Sequence, residues 1–166
     1  MRRLNDRRMR SVLVGLEQHI PVPWSIDVLV ENLAAARARP IRLVAWDFRS
    51  TGTAASGLWI PTDEADYVFY DRHATTRGRE QIIGHELGHM LLEHTPRLAD
   101  APPRLLEALA PSVSPELARR FLLRSGYGTH DEEAAERFGT RLVRVGTTKR
   151  KRSDADELGR LTDTLQ

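Results

Sequence analysis

Residues 85–89 read His-Glu-Leu-Gly-His. Two histidines four positions apart in a helix lie one turn apart on the same face, so both imidazoles can reach one ion. Neutral imidazole suits Zn²⁺, which in catalytic sites takes three protein ligands and leaves a fourth position for water. Glu86 sits ~100° around the helix from His85, given 3.6 residues per turn. From there its carboxylate can take a proton from an activated water without becoming a ligand. Zinc brings the pKa of such a water toward ~7. The spacing therefore encodes a metal-activated nucleophile with its general base alongside. Glu86 is the expected catalytic residue, and His85 and His89 are the expected first two metal ligands.

A third ligand must come from elsewhere. A third His six positions after His89, with a Gly three after it, is absent: those positions hold Thr95 and Leu92. His94 falls roughly 140° off the face of His89 on a straight helix. It is expected instead as a cation near a helix C-terminus. Asp131, Glu132, Glu133 and Glu136 cluster further on. Glu132 shares a helical stripe with Ala135, Gly139, Leu142 and Val143, the apolar face. Glu133 falls with Glu136, Arg137 and Thr140 on the solvated one. A carboxylate on an apolar face is costly without a partner, and a metal ion would be one. Glu132 is thus the expected third ligand and Glu133 the alternative. A T-x-x-E capping box from Thr129 to Glu132 accounts for the same residue without metal. Glu136, one turn on, is either an exposed charge or a hydrogen-bond partner of a ligand histidine. Tyr127 and His130 are candidates for stabilising an oxyanion. Gly126 and Gly128 favour a plainer reading, a turn whose Tyr packs on the core.

These residues need elements to carry them. Residues 4–19 fit an amphipathic helix with Leu4, Val12, Leu13, Leu16 and Ile20 near one stripe, stopped by Pro21 and Pro23. Ser25 can cap a second helix through Ala36. Strands are expected at 41–48, 58–60 and 66–70. One of them, for example Leu58 to Ile60, can serve as the edge that pairs with an extended peptide. The pattern turns helical from about Thr76 to near His94. Gly84 and Gly88, one turn apart, suit close packing beside that helix. Short helices follow at 102–110 and from Ser114 to about Ser125, then the Glu-bearing helix from near Thr129. Trp24, Trp46 and Trp59 are read as core residues.

Composition sets the frame. The chain has 166 residues, which suits one domain with one sizeable core. It has no Cys, which excludes disulfides, thiolate metal sites and a Cys nucleophile. Twenty-five basic residues against 23 acidic ones leave a net charge of only +2. The positive charge gathers at both ends, without the aromatic interleaving or reading helix of a nucleic-acid binder. No direct nucleic-acid or membrane contact is expected. No apolar run approaches the ~20 residues of a membrane span. Glu17 and His19 interrupt the stretch after the basic start, so a cytoplasmic location is expected.

The segment 66–94, DYVFYDRHATTRGREQIIGHELGHMLLEH, resembles the ImmA/IrrE family of metallopeptidases. That family places H-E-x-G-H on a helix after a strand and follows it with a helix of pattern E-x-x-A-[DNE]-x-x-A. Here the second pattern runs from Glu132 through Ala135 and Glu136 to Gly139, with Gly in place of the usual Ala and no L-L-x-P after it. The resemblance spans roughly residues 20–146 and is tightest over 66–94. It implies a zincin-like fold, zinc on His85, His89 and Glu132, and Glu86 as base. It also implies a soluble intracellular peptidase acting on a protein substrate such as a helix-turn-helix repressor or an antitoxin-like partner.

The expected architecture is α+β: one domain over 1–146, with its core at about 20–146, and a polar tail over 147–166. A small three-stranded antiparallel sheet should pack with the active-site helix and flanking helices. Two function classes follow, a zinc endopeptidase and a non-catalytic regulatory or toxin–antitoxin binding protein that retains the fold. Glu86→Gln separates them, since only the first needs the base.

Overall fold

The computed structural model describes the backbone of residues 2–51, 55–94 and 129–164, and the side chains of 7–49, 55–94 and 129–149. The helices expected at 102–110 and 114–125 lie outside these residues. The described elements are α1 (Arg2–Leu16), α2 (Ile26–Ala36), β1 (Ile41–Trp46), a 3-10 turn η1 (Phe48–Thr51), β2 (Gly57–Pro61), β3 (Asp66–Asp71), α3 (Thr76–Leu91) and α4 (Thr129–Thr164). This is the expected α+β mixture. The first helix ends three residues early, at Leu16. The polar tail continues α4 without a break to Thr164. Among the described residues no helix is long and apolar enough to cross a membrane.

The sheet corrects one expectation. It is mixed, not antiparallel, with order β1-β3-β2. β3 runs parallel to β1, with Ile41 opposite Asp66 and Trp46 opposite Asp71. It runs antiparallel to β2, with Gly57 opposite Tyr70 and Pro61 opposite Asp66. The reason lies in the connections. β2 and β3 are joined by a tight turn that Thr62 closes, its N–H and hydroxyl both donating to the Ala65 carbonyl at 2.9 Å. The longer link between β1 and β2 carries the chain past one strand position, and β3 fills the gap. Among the described residues β2 is therefore an edge strand.

Side-chain alternation sorts the sheet into two faces. Val68 and Trp59 join the main core, with Ile41, Leu43 and Tyr70 packed against it. That core also holds Leu29 and Leu33 of α2, Ile83 and Leu87 of α3, and Phe138 and Leu142 of α4. Phe69, Leu58 and Ile60 face the other way, under Phe48 of η1. Trp24 ties the helices together. Its Nε1 donates to Glu80 of α3 at 3.1 Å, and its ring lies against Gly146 of α4, where a Cβ would come within 2.1 Å of it.

Two helices end alike. In α2 the Arg39 N–H reaches back to Ala34 and the Ala38 N–H to Ala35, with Ala38 at φ 48°. In α3 the His94 N–H reaches His89 and the Glu93 N–H reaches Met90, with Glu93 at φ 55°. Both are Schellman turns with a left-handed residue where glycine is usual. The first turn aims Arg37 and Arg39 at Asp66, each 3.1 Å from Oδ2. Trp59 Nε1 donates to the other oxygen at 3.1 Å. Asp66 is 1% exposed and joins α2, β2 and β3 through one carboxylate.

Removing it strands a buried indole N–H and two guanidinium groups. Because the arginines are about one-third exposed they rehydrate in part. Asp66→Ala should therefore cost about 3 kcal/mol, the low end for a broken buried ion pair. Urea denaturation measures this, and Asp66→Asn, which keeps an acceptor, should lose less.

Candidate metal centre

α3 and α4 cross at a seam of small residues. A Cβ built on Gly139 would lie 2.7 Å from the His85 backbone nitrogen and 2.9 Å from the Gly84 carbonyl carbon. One on Gly88 would lie 3.1 Å from the Cα and carbonyl oxygen of Ala135. Gly84 and Gly88 thus permit the close packing expected of them. Gly139, the position where the family resemblance has Ala, allows closer approach than a methyl would.

That approach brings the first turn of α4 to the histidines. His85 Nε2 and His89 Nε2 are 2.9 Å apart. Glu132 Oε2 lies 3.3 Å from the first and 3.7 Å from the second. The circle through these three atoms has a radius of about 1.9 Å, so one ion can stand ~2.0–2.2 Å from all of them, ordinary bond lengths for a divalent metal. Two imidazole nitrogens facing each other beside a carboxylate form a donor set suited to a cation. His85, His89 and Glu132 therefore form a group that can hold a metal ion.

The choice between the two glutamates follows from the face. Glu132 is half-buried, although the apolar stripe suggests deeper burial. Glu133 is exposed and lies 4.0 Å from Arg137. The remaining ring nitrogens are also engaged. His85 Nδ1 is 3.4 Å from Glu136 Oε2, which sets Glu136 beside a candidate ligand histidine. His89 Nδ1 is 3.0 Å from His94 Nδ1. His94 Nε2 in turn faces Asp131 Oδ1 at 3.6 Å. Burial holds His94 below the usual imidazole range, against the opposing pull of Asp131. This corrects the reading of His94 as a cation at a helix end. The straight-helix rotation does not apply, because the Schellman turn at Glu93 folds His94 back onto His89. Asp131 has no role assigned by its position in the sequence, and its contact depends on the same turn. His130 is exposed on the first turn of α4, and Tyr127 lies outside the described residues.

Glu86 is 7% exposed. Burial and the nearby charge of Glu132 push its carboxyl from an ordinary 4.5 up to about 8, offset in part by a hydrogen bond from the Trp59 backbone N–H. Gly57, at the start of β2, keeps that space open: a Cβ there would meet Glu86 Oε1 at 2.7 Å. The base candidate thus sits between α3, which carries the two histidines, and β2. The chain matches no protein-family model, no curated protein and no solved structure.

Two measurements probe this packing. Gly139→Ala gains ~1 kcal/mol of helix propensity but forces a methyl against backbone, an overpacking of about 1–3 kcal/mol. The backbone cannot swing aside as a side chain would, so net destabilisation by about 1 kcal/mol is expected on chemical denaturation. In chelator-treated protein, folded Glu86 keeps a proton that the unfolded chain releases between pH 4.5 and about 8. Its contribution to stability therefore falls as pH rises through that window. Glu86→Gln removes this slope, so its thermal midpoint should gain on wild type steadily from pH 5 to pH 8.

Proposed function

We propose that the chain is a zinc-dependent endopeptidase of zincin-like design. The observation that carries this reading is the triangle of His85 Nε2, His89 Nε2 and Glu132 Oε2 beside the buried carboxyl of Glu86. Two imidazoles and one carboxylate are a donor set of catalytic zinc sites, which leave a fourth position open. His85, His89 and Glu132 would hold the ion. When bound, zinc supplies a Lewis acid that polarises a carbonyl and acidifies a water.

The protein's own groups do the rest. Glu86 takes the proton of the attacking water on a carboxylate oxygen and returns it to the leaving amine nitrogen. Its place against Gly57 and Trp59 fixes the carboxylate and excludes bulk water from it. Glu136 and His94 hold the two ligand rings through their second nitrogens. The resemblance to ImmA/IrrE metallopeptidases directs the substrate to a protein, with a helix-turn-helix repressor or antitoxin-like partner as the first to test. A cytoplasmic setting agrees with a chain free of Cys.

Plasma mass spectrometry of purified protein tests the metal. One zinc per chain is expected in wild type, in Glu133→Ala and in Glu86→Gln, with loss in His85→Ala and Glu132→Ala. Glu86→Gln should cut peptide hydrolysis by about 10²–10⁴-fold while keeping its zinc, the effect of losing a general base. Folded wild type without stoichiometric metal would sink the proposal. Full biological activity in Glu86→Gln would favour the binding-protein reading.

A further inference from the structure

The contact between His89 and His94 carries a consequence for metal binding that the three-ligand description leaves out. Two ring nitrogens 3.0 Å apart share one proton between them. If His89 offers Nε2 to a metal, its proton sits on Nδ1, so His89 donates and His94 Nδ1 accepts. The proton of His94 then sits on Nε2, the nitrogen that faces Asp131 Oδ1. Every ring nitrogen in the row Asp131–His94–His89 is thereby accounted for in one arrangement.

The rings are also held in place. His89 is 1% exposed, and the His94 side chain is 8% exposed. Their centroids are 5.1 Å apart, with the planes 72° apart. The His94 backbone N–H is anchored on the His89 carbonyl at 2.9 Å. Backbone and side chain of His94 thus both bond to the same residue. A partner on the second nitrogen of a ligand histidine fixes its tautomer and orientation and raises its basicity.

We propose that His94 is a positioning residue that sets His89 as a metal ligand, by accepting its Nδ1–H and turning Nε2 toward His85 and Glu132. Asp131, across from His94 Nε2, orients His94 in the same way. This inference rests on the zinc reading above, and the test separates the two.

Competition between the full chain and a zinc indicator, without any substrate, measures affinity directly. His94→Phe keeps the ring and removes the acceptor. His94→Asn keeps an acceptor atom at the same distance from Cβ. His94→Gln moves its amide one carbon farther out. Phe and Gln should lose about 10–100-fold in zinc affinity, and Asn should stay close to wild type. A packing role alone gives the reverse order, with Phe strong and Asn weak, and that result would overturn the proposal. Equal affinity in all variants would overturn it too while leaving zinc binding intact. Wild type that binds no zinc would overturn this inference together with the zinc reading. If the Phe variant does not fold, the difference between the Asn and Gln variants decides the matter alone. Thermal midpoints of chelator-treated proteins identify that case.

Discussion

The arrangement of the site depends on one short distance, that between the backbones of α3 and α4. Close helix approach requires that neither surface present side chains at the crossing. Gly84, Gly88, Ala135 and Gly139 meet that condition. Each glycine is disfavoured within a helix, by roughly 1 kcal/mol against Ala. Contact between the helices offsets that cost, with Phe138 and Leu142 of α4 fully buried. Glu132, about two turns before Gly139, is delivered to the imidazoles by this approach. A wider crossing would leave its carboxylate out of reach of both nitrogens.

The charged groups of Asp66 and Arg79 are each met by partners. Asp66 has two guanidinium groups and an indole N–H. Arg79 forks onto Asp27 at 3.0 and 2.5 Å, and its guanidinium lies 4.7 Å from the centre of the Tyr70 ring. Glu86 differs. It is buried among Ile82, Gly57 and the Trp59 amide, with no cationic side chain opposite it among the described residues, and the negative charge of Glu132 nearby adds to the strain. A carboxyl held this way favours its protonated form.

Much of the site is legible in the residues. Helical spacing puts His85 and His89 on one face, and the apolar stripe of α4 selects Glu132 over Glu133. Both inferences use only the period of a helix, and the geometry agrees. The sheet is less legible. Strands at 41–48, 58–60 and 66–70 are visible, but their order depends on where the connection between β1 and β2 crosses, which alternation does not encode. His94 escapes the straight-helix rule because Glu93 adopts a left-handed conformation usually taken by glycine, so nothing in the sequence announces the turn. Gly139 stands out only as a departure from a family pattern. Its meaning lies in the distance to His85, and that distance belongs to tertiary packing. Asp66 reads as the first residue of a strand, whereas Arg37 and Arg39, distant in sequence, and Trp59 of the adjoining strand make it a buried junction.

His89 and Glu132 lie far apart along the chain and meet only when α3 and α4 are docked. The donor triangle is thus a property of the docked state and is absent when the helices separate. Any ion bound there stabilises the folded chain by mass action. Each tenfold rise in free ion above its dissociation constant adds about 1.4 kcal/mol. The resistance of this protein to unfolding would then track the metal supply around it, and the small-residue seam would be the part through which that supply is felt.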